Sequence, residues 1–296
     1  MEFNCKEDII QLTPEWDGER FDDGRPRVSD DILRRMENVT TEEAWSVLWR
    51  NGYQFQFEGD WNNMHPDRIL VGRAVTGVMV PRRPDLHDYL MDYGHEEEGR
   101  IGAMNSWVIE TLVKDDVLVI DLFGKVYKGT YSGANLSTAI ASRTGRGQVI
   151  FGGIRDAEQI LEIDDFNTFC KGWDPTPIRD VTLVGMNVPC RIGEATCMPG
   201  DVILGTPTGV LFVPPHLARD VVEHSERTHL RERFSHQRLQ EGIYNSSQMD
   251  TQWTREIVAD FMEWLEENGI ERDLGWEWGF EEEEEGEGDE EETLLG

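Results

Sequence analysis

The residues best suited to chemistry in this chain are an adjacent arginine and aspartate, Arg155 and Asp156, which follow a short apolar strand and two glycines. A guanidinium group can bind a carboxylate through two parallel hydrogen bonds. A carboxylate oxygen is a hard ligand of the kind that Mg²⁺ prefers. Side by side, these two residue types would hold a small carboxylic acid against a divalent cation.

A small, polar loop lies upstream of this pair and leads into a helix-favouring run from Leu136 to Ser142. Backbone N–H groups at the N-terminus of a helix attract negative charge without the help of any side chain. We therefore predict an anion cradle in which Gly133 opens the helix and the N–H groups of Asn135 and Leu136 face a substrate carboxylate.

The arginine–aspartate pair also has a simpler interpretation. Neighbouring opposite charges after a strand often mark the start of a helix. In that case Asp156 would cap or favour the first helical turn, and Arg155 would be solvated. This alternative requires no ligand.

Several motifs extend the pattern, and together they resemble the RraA-like family (regulator of ribonuclease activity A). That family includes metal-dependent aldolases acting on 4-hydroxy-4-methyl-2-oxoglutarate and related acids. The resemblance covers residues 28–232 and rests on motifs in matching order and spacing. These motifs are VGRAVT, DDVLVIDLFG, GANLSTAIASRTG, GGIRD and PGDVILGTPTGVLFVPP.

The resemblance implies an α/β fold, specifically a three-layer β/β/α swivelling domain, here with helical N- and C-terminal additions. It also implies homotrimers, or hexamers made of trimers, with active sites at subunit interfaces. The implied activity is that of a lyase of the class II pyruvate aldolase type, an aldolase or decarboxylase that uses Mg²⁺ or another divalent cation. Its substrate would be a small 2-oxo carboxylic acid.

The resemblance also implies roles for individual residues. Arg155 would bind the substrate and act in catalysis, and Asp156 would hold the metal. Gly133, Asn135 and Leu136 would belong to the substrate-binding loop.

One position departs from the family pattern. Family enzymes typically carry an aspartate that twenty intervening residues separate from the arginine–aspartate pair, and this chain has Ala134 at that position. The family's aspartate is implied to orient a water that moves protons, which alanine cannot do and which Asn135 cannot replace near neutral pH. A non-catalytic binding protein, of the ribonuclease-regulator type, is therefore the alternative function.

Composition and the placement of glycine and proline residues predict four segments. Residues 1–27 read as an irregular arm, residues 28–225 as the RraA-like core, and residues 226–270 as a helical extension. The glutamate-rich segment 271–296 cannot bury apolar surface and is expected to be disordered.

Capping patterns at Ser29 and at Thr40 to Glu43 predict two early helices. Further helices and strands are predicted over 69–80, 103–112, 117–122, 168–170, 181–184, 188–192, 202–204, 210–213, 221–233 and 254–266.

The net charge of −31 at pH 7 and the scarcity of lysine favour a protein adapted to high salt over an ordinary acidic protein with an added acidic tail. An acidic surface disfavours nucleic-acid partners, because phosphate contacts require a basic face.

No signal peptide or membrane span is expected, so the sequence predicts a cytoplasmic protein with no membrane partner. The four cysteines match no zinc or redox spacing, and Cys170 and Cys190 are predicted to lie in the core.

Two other groups of residues are weaker candidates. Arg82 and Arg83 could recognise a second carboxylate of a dicarboxylic substrate, although a solvated strand end is the simpler interpretation. His65 and His87 are expected in or near loops before and after the first long strand. Asn105 could face the pocket or cap a helix.

Overall fold

The computed structural model describes residues 5–270 and gives a mixed α/β chain. The strands are β1 (Phe57–Glu58), β2 (Asn62–Asn63), β3 (Leu70–Pro81), β4 (Asp116–Asp121), β5 (Gly147–Ile154), β6 (Asn167–Trp173), β7 (Val181–Met186), β8 (Cys190–Ile192), β9 (Ala195–Cys197), β10 (Val202–Thr206) and β11 (Gly209–Val213). The α-helices are α1 (Lys6–Leu12), α2 (Asp30–Met36), α3 (Thr41–Arg50), α4 (Pro84–Asp92), α5 (Met104–Ile109), α6 (Ala134–Thr144), α7 (Ala157–Ile160), α8 (Ala218–Glu241), α9 (Ser246–Met249) and α10 (Arg255–Glu267).

The main sheet has the strand order β1-β11-β10-β3-β4-β5-β6-β2, and β7 also pairs with β3. Its centre is parallel, because β3, β4, β5 and β6 all run in the same direction. The other pairings in this sheet are antiparallel. The carboxyl ends of the central strands therefore lie along one edge, which is where open α/β sheets usually bind ligands.

Three layers form around the buried central strands. Strand β4 is almost entirely apolar and buried, as predicted for a strand covered on both faces. Helices α5 and α6 pack on one side of the sheet, and the β8–β9 hairpin packs on the other. This arrangement confirms the predicted α/β class and its β/β/α layering.

Two helix starts confirm the predicted capping patterns. The Ser29 hydroxyl accepts a hydrogen bond from the Ile32 N–H at the start of α2. Thr40 and Glu43 form a reciprocal capping box at the start of α3. These local signals succeed because each partner lies within three residues of the other.

The arm predicted as irregular contains the seven-residue helix α1 and a buried arginine. Arg25 is 1% exposed and forms a salt bridge of 2.9 Å with Asp116 at the start of β4. Asp23 also pairs with Arg25 at 2.7 Å. The arm is thus tied to the sheet by a buried ion pair, which the local sequence pattern did not indicate.

His87 was expected in or near a loop after the first long strand. This residue lies in α4, which begins at Pro84, and its Nδ1 atom lies 3.0 Å from the Thr182 hydroxyl. Proline at the first position of a helix is well tolerated, because its missing N–H would have no partner there.

The chain divides into two compact units between Glu226 and Arg227, beside the predicted boundary at residues 225 and 226. In the second unit an aromatic cluster joins α8 to α10, and its largest members are Phe234, Trp253, Phe261 and Trp264. The predicted disordered tail, residues 271–296, lies outside the described residues.

Within residues 5–270 no helix is long and apolar enough to cross a membrane. Cys170, Cys190 and Cys197 are buried, free thiols, so the two cysteines predicted for the core are confirmed there.

A buried carboxyl before β10 should make the stability of the fold depend on pH. Burial raises the pKa of Asp201 from 3.8 to about 8, although the Met198 N–H donates to it. The folded state therefore holds an extra proton between these pH values, and stability falls as the pH rises through that window. In Asp201→Asn we expect this dependence to be flatter and the melting temperature at pH 8 to exceed that of the parent. Thermal unfolding from pH 5 to pH 8 would measure this pH dependence. Identical dependence of the melting temperature on pH in the parent and the variant would contradict a raised pKa of Asp201.

Candidate active site

The candidate site is built where β5 ends beside the N-terminus of α6. Arg155 and Asp156 directly follow β5, and the Arg155 N–H donates to the Ser132 carbonyl at 2.9 Å. The Tyr131 N–H donates to the Gly153 carbonyl at 2.8 Å. These backbone bonds bring the predicted loop and the predicted pair together, although about twenty residues separate them in sequence.

Gly133 is required at this junction by close approach rather than by an unusual dihedral angle. Its φ of −130° is accessible to any residue. A Cβ atom built there would lie 2.4 Å from an Asp156 carboxylate oxygen and 2.9 Å from the Arg155 Cγ atom. The absence of a side chain therefore lets the loop contact both residues of the pair.

Gly133→Ala should displace the arginine–aspartate pair. We expect the variant to bind oxalate and Mg²⁺ about tenfold more weakly, because small displacements of positioning groups have effects of this size. Gly59→Ala is a matched control, since its Cβ would meet only Phe57, at 3.6 Å. Calorimetric titration of both variants checks the prediction, and equal affinities would contradict it.

The Asp156 side chain does not cap the helix that follows it. The residue precedes α7 in a left-handed conformation, with φ of 57°, and no side-chain capping bond is formed. Its carboxylate instead accepts from the Ala134 N–H at 3.2 Å and lies 3.1 Å from the Arg155 guanidinium. Aspartate tolerates this backbone region better than most residues, which helps to keep the side chain directed at the loop.

Two amides at the start of α6 have no acceptor within the helix. The first intrahelical bond runs from the Ser137 N–H to the Gly133 carbonyl, at 3.0 Å. The N–H groups of Asn135 and Leu136 precede that bond and are left for another partner. Asn135 is exposed and Leu136 half-buried, so an anion could approach this end of the eleven-residue helix.

A buried network of side-chain hydrogen bonds supports the loop. The Ser132 hydroxyl donates to the Gln148 side-chain oxygen at 3.0 Å, and the Gln148 amide group donates to Ser137 at 3.1 Å and Thr168 at 3.2 Å. All four residues are buried. Each hydrogen bond inside a low-dielectric core stabilises one geometry of the loop, because breaking it leaves an unsatisfied group.

Asn105 has a supporting role that the sequence did not resolve. Ala103, not Asn105, precedes the first turn of α5. The Asn105 side chain donates to the Tyr131 carbonyl at 2.7 Å, and the Tyr131 hydroxyl donates back to the Asn105 carbonyl at 3.0 Å. This reciprocal pair fixes the chain just before the loop.

Arg155 and Asp156 line an open cavity of about 530 Å³. Strands β5 and β6 are parallel neighbours, so residues after β6 meet residues after β5 at the same edge. The lining includes five further polar or aromatic residues that sequence reasoning missed, Asn62, Asn63, Glu158, Trp173 and Asp174, together with Met64, Ala157, Leu161 and Pro175.

Two of the newly found residues carry carboxylates. Hydrogen bonds from the Thr176 hydroxyl and N–H hold the pKa of Asp174 below its usual value, so this group stays ionised. Glu158 is exposed at the cavity and has no fixed partner among residues 5–270. Of the two, Glu158 is better placed to exchange a proton.

Comparison with known proteins identifies the family. The family model described as RraA-like, Aldolase/RraA, matches residues 28–212. The chain belongs to the Aldolase/RraA family. The match includes every residue of the candidate site that was predicted from the sequence.

Relatives of this Aldolase/RraA chain are distant. An uncharacterized protein of Methanocaldococcus jannaschii is 26% identical over 195 residues, covering 59% of this chain and 93% of the relative. Protein DlpA of Legionella pneumophila is 26% identical over 238 residues, covering 79% of this chain but only 35% of DlpA.

A solved structure supports the fold. The crystal structure of Streptomyces coelicolor RraAS2, described as an unusual member of the RNase ES inhibitor RraA protein family, superposes with a TM-score of 0.60. It is 23% identical, and the match covers 72% of this chain and 98% of RraAS2.

The divalent cation implied for Aldolase/RraA enzymes can be tested against the donor set. Within residues 5–270 no three acidic, histidine or cysteine side chains are grouped for a metal. Of the three carboxylates that line the cavity, Asp156 is the one that accepts a hydrogen bond from the loop. Mg²⁺ usually keeps several waters and binds through one or two carboxylates plus substrate oxygens, so a single aspartate fits this ion.

The arginines at the end of β3 are separate from this site. Arg82 lines a different cavity, and its guanidinium lies 3.3 Å from Asp88. Arg83 is exposed and pairs with Asp85 at 2.8 Å. Neither residue lines the cavity that contains Arg155.

Proposed function

We propose that this chain is a Mg²⁺-dependent lyase that breaks a carbon–carbon bond in a small 2-oxo carboxylic acid. The observation that carries the proposal is the convergence of Arg155 and Asp156 on one open cavity beside the α6 N-terminus. The cavity then offers a guanidinium and a carboxylate that could bind a metal. Gly133, Asn135 and Leu136 are not among its lining residues, and their loop reaches the site through the hydrogen bond from the Ala134 N–H to Asp156. This combination suits an anionic substrate with adjacent carboxylate and ketone oxygens.

Arg155 has two tasks in this proposal. Its guanidinium binds the substrate carboxylate through paired hydrogen bonds. It also faces the ketone oxygen, where negative charge develops as the bond breaks. The N–H groups of Asn135 and Leu136 share the carboxylate, and the loop glycine Gly133 allows the close approach.

In decarboxylation of an oxaloacetate-like acid, the bond between C3 and C4 breaks and the C4 carboxylate leaves as carbon dioxide. The electron pair enters the enolate of pyruvate, and a proton then adds to C3. Asp156 would hold Mg²⁺ or another divalent cation, which would supply positive charge to polarise the ketone.

Ala134 bears on which reaction is preferred. Aldol cleavage requires removal of a proton from the substrate hydroxyl, and an acid–base group typically contributes about 10²–10⁴-fold to such steps. Decarboxylation needs no such removal. We therefore propose an oxaloacetate-like acid as the better substrate, with Glu158 as the remaining carboxylate that could exchange protons in the cavity.

We also propose that the chain assembles as a homotrimer or a hexamer of trimers, with each cavity at a subunit interface. An aromatic side chain of the cavity lining supports an interface there, because Trp173 is 55% exposed. Large exposed aromatic side chains are enriched in protein interfaces. Light scattering tests this part, and a monomer at micromolar concentration would contradict it.

The activity is tested by measuring pyruvate release from oxaloacetate and from 4-hydroxy-4-methyl-2-oxoglutarate. We expect release with Mg²⁺ that is lost with a chelator and restored by added Mg²⁺, and that is faster for oxaloacetate than for the aldol substrate. Rates equal to the Mg²⁺-only background on both acids would overturn the proposal.

A non-catalytic regulatory protein is the second candidate, and Ala134 is the observation that favours it. A site that binds oxalate and Mg²⁺ but releases no pyruvate from any 2-oxo acid would support this candidate.

A further inference from the structure

A second cavity, of about 350 Å³, lies between the N-terminal arm and the end of β11. It shares no lining residue with the Arg155 cavity. Its volume is within the range of small-molecule sites. Its lining is mostly apolar or aromatic and comprises Leu12, Thr13, Pro14, Glu15, Trp16, Tyr53, Gln56, Thr196, Met198, Asp201, Pro214, Pro215 and His216.

The base of this cavity contains a carboxyl group that is only partly satisfied by the protein. Asp201 is 1% exposed, and one of its oxygens accepts from the Met198 N–H at 2.7 Å. Within residues 5–270 its other oxygen has no hydrogen-bond partner, although the residue lines the cavity. Because this oxygen is accessible from the cavity, a ligand that donates a hydrogen bond could bind to it.

Aromatic rings form part of the walls. The Tyr53 hydroxyl lies 3.2 Å from the His216 Nε2 atom, and the two ring centroids are 5.7 Å apart. Trp16 contributes a third ring from the arm. Aromatic faces attract organic cations, and the attraction is strongest for tryptophan.

The charges around the cavity are complementary to a cation. Glu15 and Asp201 are its acidic lining residues, and no lysine or arginine of the described chain lines it. The nearest guanidinium in the arm, Arg20, is held by the carbonyls of Thr13 and Trp16, at 2.8 and 3.0 Å.

We propose that this cavity binds a small organic ammonium ion with an apolar body, whose N–H group donates to Asp201 and whose body packs against Trp16 and Tyr53. This ligand is opposite in charge to the 2-oxo acid proposed for the other cavity. The two sites are therefore chemically independent.

Asp201 must be ionised for a cation to pair with it. Burial raises the pKa of this carboxyl to about 8, and Tyr53, His216, Glu15 and Cys197 are the other titratable groups around it. A bound cation would favour the ionised carboxylate, since an opposite charge nearby stabilises the charged form.

Calorimetric titration of the full chain at pH 8.5, where Asp201 is ionised, with benzylammonium and with benzyl alcohol tests the proposal, because the two probes have similar shape and differ in charge. We expect benzylammonium to bind at least about tenfold more tightly than benzyl alcohol, as charge-assisted hydrogen bonds are the stronger class. Asp201→Asn should weaken benzylammonium binding by about tenfold or more and leave benzyl alcohol binding unchanged. Equal affinities of the parent for the two probes, or no detectable binding of either, would overturn the proposal.

Two further variants separate the site from general effects. Trp16→Leu keeps Asp201 and should weaken benzylammonium binding several-fold, so the proposal can still fail if Asp201→Asn does not fold. Asp17→Asn removes one negative charge from the arm beside Trp16 without altering the lining and should bind like the parent. Loss of affinity in Asp17→Asn equal to that in Asp201→Asn would show a long-range charge effect and overturn the proposal.

Discussion

Arg155→Ala should lower kcat/KM for pyruvate release by about 10²–10³-fold, the usual effect of removing one donor that stabilises developing negative charge. The side chain lines the cavity and is 37% exposed, and within residues 5–270 it pairs only with its neighbour Asp156, so its loss should not unfold the protein. Oxalate affinity should fall by at least about tenfold in the same variant, because its carboxylate loses a paired donor. Steady-state kinetics and calorimetry measure the two effects.

Arg155→Lys is the matched control for this prediction. It keeps the positive charge but cannot form two parallel hydrogen bonds, so we expect activity between the parent and Arg155→Ala. Arg82→Ala removes an arginine that lines a different cavity and should leave kcat/KM unchanged. An Arg155→Ala variant with the oxalate affinity of the parent would show that the substrate carboxylate binds elsewhere.

Ala134→Asp should raise Mg²⁺-dependent aldol cleavage by about an order of magnitude or more, within the range of acid–base catalysis. The Ala134 N–H donates to Asp156, so a carboxylate at this position would lie close to the proposed metal ligand. It would also lie in the first turn of α6, where negative charge is favoured by roughly 0.3–1 kcal/mol. The rate on oxaloacetate should change much less, because its decarboxylation does not require removal of a hydroxyl proton.

Two other outcomes of the Ala134→Asp experiment would be informative. If parent and variant cleave the aldol substrate equally, another group already moves the proton, and Glu158→Gln would then be expected to abolish the reaction. If neither variant shows activity while both bind oxalate and Mg²⁺, the regulatory alternative is favoured.

The parts of the fold and of the site that could be predicted from the sequence are those determined by residues close together in the chain. The glycine that opens α6, the strand before the pair and the caps at Ser29 and Thr40 are all local signals. The fold class followed from the buried central strands. Because the loop and the pair lie in two consecutive β-to-α segments, their meeting followed from the parallel sheet.

The features that were not predicted from the sequence depend on where a strand ends and on contacts between residues far apart in sequence. Strand β6 was predicted to end at Cys170 because Lys171 and Gly172 interrupt the apolar pattern, whereas it continues to Trp173. That extension brings Trp173 and Asp174 to the cavity. The Arg25–Asp116 pair joins residues far apart in sequence, so no local pattern could have revealed it.

The loop position of Ala134 illustrates how a backbone contact can remain when a side chain is changed. The N–H of residue 134 donates to Asp156 whatever its side chain is, so the loop geometry does not require an acid there. The change from the family pattern therefore affects proton transfer while leaving anion binding possible. This separation is the reason that decarboxylation and regulation are both compatible with the site.

The central claim is that Arg155 and Asp156 together form a metal-assisted carboxylate site, and it is tested most directly by titrating oxalate into the parent and into Asp156→Asn. Asparagine also tolerates the left-handed backbone of this position, so the variant should fold. We predict that the parent binds oxalate only when Mg²⁺ is present and that Asp156→Asn loses at least about tenfold in affinity under the same conditions. Oxalate binding that is equally tight without Mg²⁺, or unchanged in Asp156→Asn, would contradict the account.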